Sequence, residues 1–499
     1  MRNLIGILLI GTMMVCSPAG MQAQKGMAGK TLTRAGMARD LQVIKKTLEK
    51  NHPFLYKYVH RDTFERRFDS LLNNLPDEIP SADFYLTASQ LVYSLRHGHM
   101  LLYPGKPDSR IFRSHIMSKF RYEFYDSALY IVNNEPGTGG IRPGTRIDRV
   151  NGKDIRNLST RYIEAVPMEG YTGNLRQSLF GMLLPIFIGE ECGETDSLTL
   201  NLSYLDSAYV LTLATYQKSS QEGLGDLMEE FRKAFDPEVE SDSSGLYASG
   251  ARLKFLDEEK RVAILTVDDF MQSHSALFRR GFAVLDSLNT EHLILDLRNN
   301  LGGVLLLTGE LQSYLWDSAF HLIEPPVVGS VLRIFYPPGS HWVQHFFSTL
   351  VLPFQFALYS PIRKRSDEGY SFNAVESRLK TPSMNRFKGS ITVLVNGGTY
   401  SAASILAANL KYGRDYLLIG EETGGASEGT VALRLGTVKL PNSGFYLRYG
   451  IGYLQPIEKG GEEGRGVMPD IRIIPTLKDR IDGIDPELRY ALKILQRGE

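Results

Sequence analysis

The serine at position 401 stands where a hydroxyl could act as a nucleophile. It lies in Val395-Asn-Gly-Gly-Thr-Tyr-Ser-Ala-Ala-Ser404, where a buried apolar strand runs through two glycines to the mouth of a helix. A hydroxyl placed there sits near the positive end of the helix dipole. The amide of Ala402 could donate to a developing oxyanion. The plain alternative for Ser401 is an N-cap, a favoured use of serine. Ser404, one turn further on, reads as a packing or capping residue. A second glycine pair ends Asp296-Leu-Arg-Asn-Asn-Leu-Gly-Gly303, again after a buried strand. Glycines there let the backbone take angles closed to other residues, and let a substrate approach the amides. Asp296 and Arg298 read as a pair that shapes this turn.

These turns need strands and helices to hold them. Arg261 to Val267, His292 to Leu297, Ile391 to Val395 and Tyr416 to Ile419 read as strands. Ser275 to Leu288, Leu305 to Leu315 and Ala402 to Leu410 read as helices. Strand, turn and helix in alternation predict a layered α/β domain over 246–480. Upstream, Leu41, Ile44 and Leu48 fall at helical spacing, and Asp62 with Glu65 suggests a capping box. A third helix carries Phe84, Ala88, Leu91, Val92 and Leu95 and is expected to stop at Gly98. Residues 34–105 therefore read as a helical domain. Over 106–215 strand formers return, with Leu129 to Val132, Leu198 to Leu202 and an Asn151-Gly152 turn. Residues 238–245 read as a linker. Within the core, 322–388 forms a long insertion containing the apolar run Phe346 to Leu358, broken by Pro353. It reads as a buried helical flap, with a substrate lid or a membrane- or partner-facing surface as the sharper readings.

The whole chain narrows the function classes. At 499 residues it is long for one domain. Its 56 basic and 56 acidic residues balance, which argues against nucleic acid as a partner. Residues 1–23 read as a signal peptide, with Arg2, the apolar run Leu4 to Val15 and a cleavage point at Ala23. Export to the periplasm or cell envelope is expected, with a lipid anchor at Cys16 as a minor alternative. Membrane contact is otherwise expected only through the apolar insertion. After cleavage only Cys192 remains, so no internal disulfide and no cysteine-based metal site is expected. Cys192 itself reads as a partly exposed free thiol rather than a nucleophile.

Five short motifs, in order, give a resemblance to the C-terminal-processing (tail-specific) and tricorn-type serine peptidases. They are Leu95-Arg-His-Gly-His99, Asp296 to Gly303, Thr399 to Ala402, Gly420-Glu-Glu-Thr-Gly-Gly425 and Glu463 to Asp470. Gly140 to Gly152 also resembles the middle of a PDZ domain. The resemblance implies a crotonase/ClpP-like layered α/β core, an N-terminal helical domain and a PDZ-like β-rich domain. It implies Ser401 as nucleophile, with oxyanion amides from Gly303 and Ala402 and Gly302 shaping the same turn. One branch uses a Ser-Lys dyad, but Ala426 stands where its lysine would be. The tricorn-type branch uses Ser, His and Glu, and the matching residues are His99 and Glu463.

General chemistry agrees with that choice. A serine needs a base within hydrogen-bond reach, and a carboxylate behind a histidine fixes its tautomer. His97 competes with His99, and Glu462 is the fallback for Glu463. In tricorn-type proteins a serine beside the histidine completes a relay, and here that place is Gly98. The expectation is an exported serine peptidase that cleaves peptide or protein substrates through an acyl-enzyme, with no metal and no organic cofactor. The competing expectation is a catalytically degenerate peptide- or lipid-binding module on the same fold. An esterase on the same residues is a third.

Overall fold

A computed structural model of the chain describes residues 31–103, 120–125, 128–134, 140–192, 197–214, 246–336, 342–365 and 369–497. The expected signal peptide, the Cys16 anchor point and the 238–245 linker lie outside these residues. A seven-stranded sheet forms the centre of the C-terminal half. Its order is Tyr247–Ala248, Ala251–Phe255, Val262–Val267, His292–Asp296, Ser390–Val395, Leu417–Gly420 and Ile471–Arg472. The last five strands run parallel.

Side chains along these strands alternate between two buried faces, as a covered parallel sheet requires. Leu265, Leu293, Leu295, Val393 and Val395 pack against the helices His274–Ser287, Leu305–Leu315 and Ala402–Arg414. Ile264, Ile294, Leu394 and Ile419 face the C-terminal helix Pro486–Arg497 through Leu488, Ala491 and Leu492. The layered α/β class is what the sequence led one to expect.

The N-terminal helices are Arg34–Asn51, Arg61–Asn73 and Ser81–Tyr93. Two details differ from expectation. The helix at 61 has no capping box, because the ring of His60 accepts from the amide of Asp62 and so becomes the N-cap. The third helix ends at Tyr93, and the left-handed residue after it is Arg96, at φ +63°, not Gly98. The β-rich region is a second sheet, ordered Phe120–Tyr125, Ala128–Asn134, Thr145–Val150, Ser197–Tyr204 and Ser207–Ala214. It carries a helix, Asn174–Cys192, that the sequence pattern did not single out. This sheet shares one buried cluster with the N-terminal helices and with Leu440, Phe445, Leu447 and Tyr449.

A third sheet is built on the hairpin Thr430–Lys439 and Tyr446–Leu454. The short strand Leu101–Tyr103 adds to its edge, pairing Tyr103 with Tyr446 and Leu101 with Arg448. The insertion pairs with the same hairpin through Val327–Val328. Its helix Trp342–Tyr359 is not the buried flap expected, since Phe354 and Phe356 are more than half exposed. Among the described residues no helix is long and apolar enough to cross a membrane.

Candidate active site

The two glycine turns meet at the carboxyl ends of adjacent parallel strands. The amide of Tyr400 donates to the carbonyl of Asn300 at 2.9 Å. Asn396 and Asn299 exchange side-chain and backbone hydrogen bonds across the gap. The hydroxyl of the fully buried Thr399 donates to the carbonyl of Leu297. A third turn braces the carbonyl of Thr399, which accepts from the amides of Gly424 and Gly425 at 3.0 and 3.2 Å. The motifs at 296, 399 and 420 therefore hold one another.

Ser401 sits at the centre of this lock, at φ +56° and ψ −121°. Such a conformation in a non-glycine residue costs about 1–3 kcal/mol and persists only where its surroundings over-determine it. The hydroxyl does not cap the helix behind it. It lies 3.1 Å from Nε2 of His99 instead. Ser404 is a bracing residue, its hydroxyl donating to the carbonyl of Ser401. Gly302 packs directly on Ser401, and a Cβ there would lie 2.7 Å from Cβ of Ser401 and 2.9 Å from the amide nitrogen of Ala402. Gly303 has φ +142° and would drive a Cβ into the Phe270 backbone at 2.5 Å. The amide of Gly302 is taken by the side chain of Asn300. The amides of Gly303 and Ala402 have no acceptor among the described residues, which leaves both able to donate to an incoming oxygen.

His99 is positioned by the strand that follows it, where Leu101–Tyr103 joins the hairpin edge. Its ring stacks on Tyr400, with centroids 4.8 Å apart. Burial, then the charges of Arg448 and His97, lower its pKa to about 3, so it is neutral at neutral pH. His97 does not compete for Ser401. It is buried, with Nε2 3.1 Å from the carbonyl of Leu55 and its ring against His52. Burial lowers it as well, to about 4. Ala426 is buried and bridges to Gly466, and no lysine bonds Ser401 among the described residues.

The carboxylate differs most from the sequence reading. No hydrogen bond or ion pair joins Glu463 to His99 among the described residues. Its side chain is 69 % exposed and pairs with Nζ of Lys57 at 2.6 Å. Together with Glu462 it lines a surface cavity beside Glu428 and Tyr453. Lys57 draws it outward, and Gly464 turns the chain against Gly170 and Tyr171. A Glu463→Gln variant is therefore expected to keep kcat/KM within about fivefold of the parent, since exposed ion pairs contribute ~0–1 kcal/mol. Steady-state peptide hydrolysis checks this.

The acid near His99 is Glu169, which the sequence reading missed. It lies in a loop between helices with no local signal beyond the adjacent Gly170, yet it is fully buried. Its Oε2 accepts from the amide of Gly98 at 3.1 Å, from the hydroxyl of Tyr400 at 3.1 Å and from the hydroxyl of Thr430 at 2.8 Å. The same two hydroxyl oxygens lie 2.6 and 3.0 Å from Nδ1 of His99. Gly98 leaves the room this requires, because a Cβ there would collide with the Tyr400 hydroxyl and come within 3.1 Å of Glu169. Tyr400 lay inside a motif already noted, but nothing in the motif gave its hydroxyl a task.

Comparison with known proteins bears on the same region. Residues 261–473 match the sequence model of peptidase family S41. Among solved structures, mature CPAF aligns over 93 % of this chain and 97 % of its own, at 16 % identity and a TM-score of 0.58. A serine-to-alanine mutant of CPAF covers the same shares at 15 % identity and a TM-score of 0.61. A structure of mature CPAF complexed with lactacystin covers 92 % and 97 %, at 16 % identity and 0.58. At these identities the likeness is one of fold. Among curated proteins none matches the sequence significantly. The matched segment includes Ser401 and the glycine turns, while His99 and Glu169 reach the site from outside it. Over residues 261–473, less than half of its length, the chain is similar to peptidase family S41, and that similarity makes it a serine-type peptidase acting on peptide or protein substrates.

Proposed function

We propose that this chain is an exported peptidase that cleaves peptide bonds through an acyl-enzyme on Ser401, with His99 as general base. The observation that carries the reading is the 3.1 Å contact between the Ser401 hydroxyl and Nε2 of a neutral His99. The hydroxyl oxygen attacks the peptide carbonyl carbon while its proton passes to Nε2. The carbonyl oxygen becomes an oxyanion and accepts from the amides of Gly303 and Ala402. As the C–N bond breaks, His99 returns the proton to the leaving amine. Water then repeats the sequence on the ester, releasing the acid and restoring the serine. The strained backbone at Ser401 supports the same role, because it aims the hydroxyl away from the cap position and toward the ring. The apolar run Leu4 to Val15 behind Arg2 supports export.

A fluorophosphonate probe tests this assignment. Wild-type protein should gain one phosphonyl mass, on the peptide containing Ser401, and Ser401→Ala should gain none. Equal labelling of the two proteins would remove Ser401 from the mechanism. A labelled protein that turns over esters but no peptide would make it an esterase instead.

A further inference from the structure

We infer that Glu169 is the acidic positioning residue of the catalytic histidine, acting through the hydroxyls of Tyr400 and Thr430 and not by direct contact. This rests on the proposed roles of Ser401 and His99 and adds the partner those roles require. A neutral base that accepts at Nε2 must carry its hydrogen on Nδ1. That hydrogen faces two oxygens, at 2.6 Å on Tyr400 and 3.0 Å on Thr430. Each hydroxyl in turn donates a hydrogen bond to Oε2 of Glu169, at 3.1 and 2.8 Å. The order of donation is then fixed from His99 to the hydroxyls to the carboxylate. The opposite tautomer, with hydrogen on Nε2, would leave the ring unable to accept from Ser401.

The chemistry of the base also calls for an anion here. Burial and the neighbouring positive charge of Arg448 disfavour an imidazolium at His99. An imidazolium must nevertheless form each time the serine loses its proton. Glu169 is the carboxylate joined to the ring by hydrogen bonds, whereas Glu463 points to solvent beside Lys57. Burial raises Glu169 to about 7, against the pull of Thr430, Gly98 and Tyr400. The groups acting on it from the packed elements are these three donors and Glu428, whose charge raises it further. A glutamine would fill the same space without that penalty, so the acid is costly for stability alone. Its Oε1 has no hydrogen-bond partner and is sealed from solvent. All three donors therefore converge on one oxygen, the one turned toward His99.

The loop that carries Glu169 is anchored on both sides of the site. The amide of Gly170 donates to the carbonyl of Arg96 at 2.8 Å, and that of Tyr171 to the carbonyl of Gly464 at 2.6 Å. The hydroxyl of Thr172 donates to the carbonyl of Gly424 at 2.9 Å. The histidine segment, the brace behind Ser401 and the acid are thus tied to one another by hydrogen bonds.

The test is Glu169→Gln in the full chain, read by thermal midpoint, fluorophosphonate labelling rate and the pH profile of kcat/KM. The amide oxygen can keep the three donors, so the midpoint should hold or rise. The activity should fall ~100-fold, less than the ~10⁴-fold seen where the acid touches the histidine directly. Wild type should lose activity as pH falls through about 7, where Glu169 takes up its proton, and the variant should lack that limb. Tyr400→Phe and Thr430→Val should each cost several-fold, because one hydroxyl still bridges, and the pair together should match Glu169→Gln. Glu169→Asp should recover part of the rate. An unchanged rate and pH profile in Glu169→Gln would overturn the inference. So would a rate loss that merely follows a fallen midpoint with the acid limb intact. Failure of the serine assignment is separate, since it would appear as an unlabelled wild-type protein.

Discussion

Ser401→Ala and His99→Ala are each expected to cut kcat by about 10⁴ to 10⁶, and the double variant by no more than either alone. The reason is that the two atoms 3.1 Å apart perform one step. Without the base the hydroxyl stays protonated, and without the hydroxyl the base has nothing to accept from. A residual rate above that of water should survive in all three, because the amides of Gly303 and Ala402 still receive the carbonyl oxygen. Stability should change little for Ser401→Ala, whose hydroxyl makes no cap and gives up a single hydrogen bond, the one to His99. Single-turnover kinetics on a peptide substrate, with thermal unfolding as the control, measures both. Losses that multiply in the double variant would mean that the two residues act in separate steps.

Arg298→Ala is expected to be the most destabilising single change in the core, by about 3–5 kcal/mol. Arg298 is almost enclosed and forks onto two carboxylates. It reaches Asp296 at 2.7 and 2.9 Å, and Asp485 at 2.7 and 2.8 Å. Its Nη1 also stands 3.3 Å from the fully buried Glu487. Removing the guanidinium leaves three acids facing one another without the cation that pairs them, two of them shielded from water. Burial already raises Glu487, and the loss of Arg298 would raise it further. Asp485 caps the C-terminal helix through the amide of Leu488, so the covering of one sheet face loosens as well. Arg298→Lys should recover part of the loss, since a point charge cannot satisfy two forks. Urea unfolding at pH 7 checks the order Arg298, Lys, Ala. Activity should fall with stability, because Arg298 stands four residues before the Gly302 turn.

The central strands were legible because each is a short apolar run between turn residues. Ile391 to Val395 reads as buried from its composition, and the strand found is Ser390–Val395. The helix Leu305–Leu315 was read to the residue. The turn at Ser401 was legible for a different reason, since the glycines around it announce an unusual backbone. The Asp296–Arg298 pair was legible too, although its two further acids come from 485 and 487. What could not be read was set by contacts distant in sequence. Glu169 has no periodic or motif signal, and its partners lie at 98, 400 and 430. Glu463 sits in a matching motif, yet Lys57 from the N-terminal region decides where its side chain goes. The N-cap at His60 shows the same limit on a small scale. A ring nitrogen outcompeted the box suggested by Asp62 and Glu65.

The span of chain between His99 and Ser401 has a consequence for when the protein becomes dangerous. The two residues are 302 positions apart, and the loop carrying Glu169 must close on both. Bringing such distant stretches together is among the last gains of a folding chain, because loop closure must precede any reward from the contacts. A chain still being made, or not yet folded, holds the serine and the histidine as unconnected groups. It cannot cut its neighbours or itself. Topology thus supplies a delay of its own before the site is assembled.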